Sequence, residues 1–351
     1  MGQWFLNAFL TLLVTKLVFL LVLLAEDLYR VGVTVFRFFA RSFSQTAEDQ
    51  PVKLLPPRRK FMSQLGLLFA SIPFGAFLYG VTKGKYAFTL HRHTLYFDDL
   101  PEAFEGFTIT QLSDIHSGSF DDAEAVQRGI DLAKAQQSDL YVFTGDLVND
   151  LATEIEPWIP RFAQLKAPYG QFSILGNHDY GLYHDWDSDA VREANLERLK
   201  QHHRQMDYRL LLNEHVTIEK AGEQLALIGV ENWGKGFIQQ GDLDKALEGV
   251  APGAFKILLS HDPSHFEEIV KHHPRQVHLT LSGHTHGMQF GVETPLFKWS
   301  PAQYRYANWA GLAQENNRQL YVNRGFGFIG FTGRVGIWPE VTVLELRKRR
   351  A

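Results

Sequence analysis

Two apolar blocks open the chain. Residues 4–25 carry a single charge, Lys16, over about the length of helix that crosses a hydrocarbon core. No basic residue precedes the block and no small-x-small site follows it, which argues against a cleaved signal peptide. A membrane helix is expected, with Lys16 snorkelling or packed on a partner. Residues 61–81 contain no charge at all. Their Gly66, Pro73, Gly75 and Gly80 suit a membrane helix better than a soluble one. Between the blocks, Arg30, Arg37 and Arg41 recur on one helical face among Val33, Val35, Phe36, Phe38 and Phe39. That pattern predicts a basic amphipathic helix at a membrane surface or packed on the domain, ended by the basic cluster of residues 56–60. An arginine-rich connection belongs in the cytoplasm and puts the rest of the chain outside, against which Lys83, Lys85 and Arg92 weigh.

Past residue 81 the pattern changes to apolar, β-rich runs alternating with helical stretches, the signature of an α/β domain. Strands are expected at residues 107–112, 140–143, 172–175, 225–230, 255–259, 277–281, 320–323 and 341–346. A helix is expected from a cap at Asp121 or Asp122 to about residue 137, and a second over 189–206. The chain thus divides into an anchor, 1–84, and one α/β domain, 85–351.

Composition narrows the chemistry. The 351 residues carry a formal net charge of -4, and no dense basic patch precedes the Arg347-Lys348-Arg349-Arg350 tail, so a nucleic-acid partner is not expected. There is no cysteine, which excludes disulfides, iron–sulfur clusters and thiol catalysis. With 15 histidines and 39 acidic residues, any metal must be held by nitrogen and oxygen donors.

Those donors fall just past the expected strands. Asp114-Ile115-His116 follow the first, Gly145-Asp146 the second, Gly176-Asn177-His178-Asp179 the third. His261 follows the run at 255–259, and Gly283-His284-Thr285-His286-Gly287 the run at 277–281. Any one of these is ordinarily a turn or a helix cap. Five turns that each deliver Asp, Asn or His to the carboxyl ends of strands, where α/β sheets gather ligands, point to a centre of two metals sharing a bridging ligand.

The ordered set DIH, GD, GNHD, a lone His and GHTHG resembles the calcineurin-like metallophosphoesterase superfamily over residues 100–346. Within it, the chain looks most similar to the membrane-anchored bacterial branch that includes UDP-diacylglucosamine pyrophosphatases. The resemblance implies two packed mixed β-sheets with helices on the outer faces. It implies two divalent ions (manganese, iron or zinc), one held by Asp114, His116 and His286, the other by Asn177, His261 and His284, with Asp146 bridging. It further implies attack on phosphorus by a hydroxide shared between the ions, and protonation of the leaving oxygen by His178. Two positions depart from relatives. Asn149 stands where many have an acid that orients the catalytic histidine, leaving Asp179 or Asp150 for that task. Met288 replaces a frequent glycine and is expected to pack or to add an apolar wall.

Arg324 and Arg334, on glycine-flanked turns, are expected either to grip the substrate phosphate or to lie solvated at the surface. The remaining histidines, among them His202, His203, His272 and His273, are expected at the surface. The reading is of an integral membrane hydrolase acting on a phosphodiester or pyrophosphate, possessing the bilayer as a partner, with UDP-diacylglucosamine as one candidate substrate. Lipid A precursors of that kind are processed on the cytoplasmic face, in tension with the loop charge. The alternatives are a broad phosphodiesterase or nucleotidase held at the membrane, and a non-catalytic metal-binding sensor or scaffold.

Overall fold

The computed structural model describes residues 2–43 and 56–349, with side chains for 5–39 and 60–349. Arg41 and residues 56–59 therefore lie outside the described side chains, as Arg350 lies outside the described residues. The chain forms two units, Met1–Thr82 and Lys83–Ala351.

The first unit is a pair of helices, α1 (Gly2–Phe43) and α2 (Pro56–Thr82). The expected boundary near residue 25 is absent: α1 runs on through the arginine-bearing segment without a break. A change of side-chain polarity does not interrupt the backbone ladder, and no proline stands there to remove a donor. At 42 residues, α1 is about 63 Å long, roughly twice a hydrocarbon core. Phe5–Phe39 and Lys60–Thr82 are each long and apolar enough to cross a membrane.

The second unit is built from β1 (Thr89–Phe97), β2 (Thr108–Leu112), β3 (Leu140–Phe143), β4 (Gln171–Ser173), β5 (Arg209–Leu210), β6 (Glu214–Lys220), β7 (Glu223–Gly229), β8 (Phe255–Leu259), β9 (Leu279–Ser282), β10 (Val292–Glu293), β11 (Lys298–Trp299), β12 (Gly311–Glu315), β13 (Arg318–Val322) and β14 (Glu340–Lys348). Two six-stranded mixed sheets result, ordered β1-β14-β2-β3-β4-β5 and β12-β13-β9-β8-β7-β6, beside the small hairpin β10-β11. Parallel pairing runs through β2-β3-β4-β5 and through β13-β9-β8-β7.

Side-chain alternation decides how the sheets stack. In β3, Leu140 and Val142 enter the core shared with Ile257, Leu259, Leu279 and Leu281 of the other sheet. Tyr141 and Phe143 point the other way, against Val126, Ile130 and Ala133 of the helix Ala123–Lys134. In the second sheet Ile228 and Leu258 face outward to Leu247, Phe266 and Val270. Strands covered on both faces read as continuous apolar runs, which is why these were legible. Asp122, not Asp121, caps the helix, accepting from Ala125 N at 2.9 Å; Asp121 instead pairs with Lys85 at 2.6 Å. Strands β1, β6 and β12 were not anticipated. They lie at sheet edges, where one side is open and polar residues such as His91, Arg92 and His93 interrupt the apolar signal.

Candidate metal centre

The parallel order places the carboxyl ends of β2, β3 and β4 side by side in one sheet and those of β8 and β9 in the other. The two sets are stitched together directly. Gln111 Nε2 donates to the carbonyl of Ser282 and to Thr144 Oγ1, both at 2.9 Å. The backbone N–H of His284 donates to both carboxylate oxygens of Asp114 at 2.9 Å. Such close approach requires glycine: a Cβ on Gly283 would lie 2.2 Å from Asp114 Oδ2, and one on Gly176 2.2 Å from Asp146 Oδ1. Asp114, His116, Asp146, His284 and His286 all adopt left-handed φ, between 47° and 71°. For residues with a Cβ this conformation is costly and is retained where surrounding structure over-determines it.

The result is two clusters of donor atoms, Asp114–His116–His286 and Asp146–His261–His284, each with its ligand atoms within 4.8 Å of one another. Asp146 Oδ2 lies 3.1 Å from His261 Nε2 and 3.5 Å from His116 Nε2, so one carboxylate reaches both clusters. The orphaned atoms fit ions. His116 Nε2, His286 Nε2 and Asn177 Oδ1 are buried with no hydrogen-bond partner among the described residues, a state that buried polar atoms avoid unless something else binds them. Neighbouring bonds turn the donors inward. His261 Nδ1 bonds the Thr144 carbonyl at 2.7 Å, leaving Nε2 to the site. His284 Nε2 bonds Tyr306 OH at 2.8 Å, leaving Nδ1, which lies 3.2 Å from His261 Nε2. Asn177 Nδ2 donates to Tyr183 OH at 2.9 Å, leaving its carbonyl oxygen.

Electrostatics follow from burial of unlike charges. Desolvation opposes ionisation of Asp146, but the imidazoles of His261 and His178 outweigh it and hold the carboxyl well below its ordinary range. His261, although buried, is pushed up to about 10 by the facing Asp146. Burial pulls His116 down. A metal-bound His261 must be neutral, so binding a cation would release its proton.

His178 is oriented by neither acid expected for it. Its Nδ1 bonds the backbone carbonyl of Asn149 at 2.8 Å, and Asp150 instead accepts from Tyr183 N at 3.0 Å. Asp179 is wholly engaged as an acceptor of backbone N–H groups, from Asp146 and Gly176 at 2.9 Å, Leu147 at 2.8 Å and Val148 at 3.3 Å. It ties the β3 and β4 turns together and does not line the cavity.

Neither Arg324 nor Arg334 fits the substrate or surface roles expected of it. Arg324 is buried between two carboxylates, Glu293 at 2.5 Å and Glu340 at 2.6 Å. Arg334 is wholly buried and donates to the carbonyls of Gly327 and Arg324, with Nη2 3.0 Å from His286 Nδ1. His202 and His203 are buried as well, the latter against Ser173 Oγ at 2.9 Å. The arginine that does line the site is Arg305. A cavity of about 380 Å³ opens over the donors, walled by His178, Phe237, Met288, Arg305, Tyr306 and Phe331 among others. Arg305 lies 4.7 Å from the centre of the Phe237 ring. Sequence reasoning missed Phe237, Arg305 and Tyr306 because they belong to irregular segments; their one signal is the aromatic–cation pair Arg305-Tyr306.

Comparison with known proteins agrees with this geometry. Residues 107–288 match the family model "Calcineurin-like phosphoesterase", and residues 1–85 match "Probable Calcineurin-like phosphoesterase, transmembrane domain". The chain is 29% identical over 259 residues to the metallophosphoesterase YkuE of Bacillus subtilis, covering 73% of this chain and 84% of that one. It is 27% identical to a metallophosphoesterase of Helicobacter pylori, covering 89% and 78%. It is 26% identical to "Transmembrane protein with metallophosphoesterase domain" of Danio rerio, covering 72% of this chain and 55% of the fish protein. With a family model spanning over half its length and two donor clusters that fit divalent ions, the chain belongs to the calcineurin-like phosphoesterases, metal-dependent phosphoester hydrolases, and carries that family's membrane domain at its N-terminus.

Proposed function

We propose that the protein is a membrane-anchored hydrolase with a two-ion centre, cleaving a phosphodiester or pyrophosphate carried by a lipid. In this reading Asp114, His116 and His286 hold one ion, Asn177, His261 and His284 the other, and Asp146 both. Bound divalent ions would acidify a water and withdraw charge from the phosphate oxygens. The chain's own contribution is positional. His178, fixed through Nδ1 by the Asn149 carbonyl, presents Nε2 to the leaving oxygen as a general acid. Tyr183 packs beside it, ring centres 4.5 Å apart. Arg305 offers a guanidinium fork to a phosphate oxygen at the cleft mouth. Asp179, Arg324 and Arg334 serve as positioning residues, not as groups that touch substrate.

The observation that carries this reading is the reach of Asp146 Oδ2 to both clusters, 3.1 Å and 3.5 Å. The apolar cavity walls Phe237, Met288 and Phe331 and the two helices of spanning length support a lipid-borne substrate. The complete donor set together with His178 argues against a sensor without turnover. The arginines preceding α2 in the sequence favour an active site outside the cytoplasm. The test is hydrolysis by the full chain, reloaded with manganese in detergent, of bis-p-nitrophenyl phosphate beside UDP-diacylglucosamine. Preference for the lipid nucleotide supports that candidate and a cytoplasmic site. Turnover of the simple diester alone keeps the chemistry and discards UDP-diacylglucosamine. No turnover of either with metal bound discards both as substrates, and no turnover of any phosphoester would leave the sensor reading.

A further inference from the structure

The turn that supplies His284 and His286 leads directly into the hairpin β10-β11, whose use the chemistry does not explain. Its base is rigid. Glu293 is clamped by Arg324 at 2.9 and 2.5 Å, and Gly291 N donates to the Val335 carbonyl at 2.9 Å. Its tip is equally closed. Thr294 N donates to the Phe297 carbonyl at 2.8 Å, Thr294 Oγ1 to the same carbonyl at 3.1 Å, and Phe297 N returns a bond to Thr294 Oγ1 at 3.0 Å. Turns are dominated by Gly, Pro, Asn, Asp and Ser, so large apolar side chains at an exposed tip stand out. This one carries Pro295-Leu296-Phe297, with Leu296 98% exposed and Phe297 58% exposed. Val292 and Met288, on the same excursion from β9, are 46% and 49% exposed, and Met288 also lines the active cavity.

We propose that this hairpin tip inserts into the bilayer interface and so brings the cavity mouth to the level of the lipid headgroups; this deepens the lipid-substrate reading and rests on it. Two arguments select the bilayer as occupant. A stable protein partner or second copy needs about 800 Å² from each side, more than two protruding side chains offer. Dipping one leucine and one phenylalanine past the headgroups needs no such area, and the chain's own membrane helices hold the domain near the lipid, raising the effective concentration for that contact. A hairpin clamped at its base and hydrogen-bonded at its tip keeps those side chains outward without further ordering.

The chain has no cysteine, so single labels are clean. Leu296→Cys and, as a control, the exposed Gln224→Cys on β7 would be labelled with an environment-sensitive fluorophore. The full chain would then be placed in nanodiscs of phosphatidylethanolamine and phosphatidylglycerol, with and without spin-labelled lipid. Insertion is expected to blue-shift the label at 296 and make it quenchable by the spin-labelled lipid, leaving 224 unchanged. A label at 296 as wet as the control overturns the proposal. So does one shielded equally in detergent and lipid without quenching, which would mean a protein contact. A Leu296→Asp/Phe297→Asp variant should retain hydrolysis of soluble bis-p-nitrophenyl phosphate and lose about tenfold on a p-nitrophenyl phosphatidyl ester in vesicles. Equal activity on both substrates overturns the role in presentation. If the unmutated chain turns over the soluble diester but not the phosphatidyl ester, the lipid-substrate reading fails instead, and the quenching result stands independently of it.

Discussion

The imidazole of His178 is held by the backbone carbonyl of Asn149, Nδ1 to oxygen at 2.8 Å, and not by any carboxylate. A peptide carbonyl orients the ring without adding a full negative charge. Substitution at 149 should therefore matter little and at 178 a great deal. His178→Ala is expected to lower kcat by about 10² to 10⁴ with metal content intact. Asn149→Ala should keep kcat within about tenfold, since the carbonyl remains and only the Ser119 contact at 3.1 Å is lost. Steady-state kinetics with elemental analysis of both variants decides; metal loss in His178→Ala would place that histidine among the ligands.

The loop bearing Asn149 is itself held by Glu154, which accepts from Asn149 N at 2.6 Å and Leu151 N at 3.2 Å. Glu154→Ala should lower kcat more than it raises KM, and Glu154→Gln should restore part of the loss because one acceptor oxygen survives. A pure stability defect, with both parameters normal in the folded fraction, would remove Glu154 from the positioning role.

Asp179→Asn replaces one acceptor oxygen with a donor facing backbone N–H groups. Leaving at least one buried donor unpaired costs about 1–3 kcal/mol, a fall in Tm of several degrees. The expected phenotype is weaker metal retention with lower stability. A normal Tm combined with lost turnover would instead make Asp179 a catalytic group.

Arg324 and Glu340 form a buried pair at 2.6 Å that joins the end of β13 to the start of β14. Burial pushes the Glu340 carboxyl up, but Arg324 more than compensates and holds it down at about 2, below its ordinary 4.5. A depressed acid contributes stability that is fully present above about pH 4.5 and is lost as pH falls toward 2. Glu340→Gln should be destabilised by about 3–5 kcal/mol at neutral pH, and its deficit should shrink through that window. Denaturant midpoints of both proteins between pH 2 and 6 test this; a constant deficit would refute it.

Arg305 should contribute to substrate affinity and not to metal binding. Arg305→Ala is expected to raise KM for an anionic substrate by roughly tenfold with unchanged metal content. If instead Arg324→Met left the fold intact and produced that phenotype, the assignment of the two arginines would be reversed.

Local sequence was enough to find the strands covered on both faces, such as 140–143 and 255–259, because their side chains must be apolar whichever way they point. It was also enough to find the donor turns, because Gly283 and Gly176 are demanded by close backbone approach and imidazoles and carboxylates are the donor types that divalent ions take. What it could not show was direction. A glycine-flanked arginine reads alike whether its guanidinium enters solvent, a substrate or, as for Arg324 and Arg334, a buried cluster. The partner of His178 is a peptide carbonyl, which no side chain advertises. Strand β1 exists because Thr89 pairs with Glu340 at the far end of the chain, a non-local hydrogen-bond ladder that no local pattern encodes. Residue types and local spacing determined which chemistry this protein holds. Only long-range packing decided which groups face the cleft, because burial and partner choice are properties of the assembled sheets.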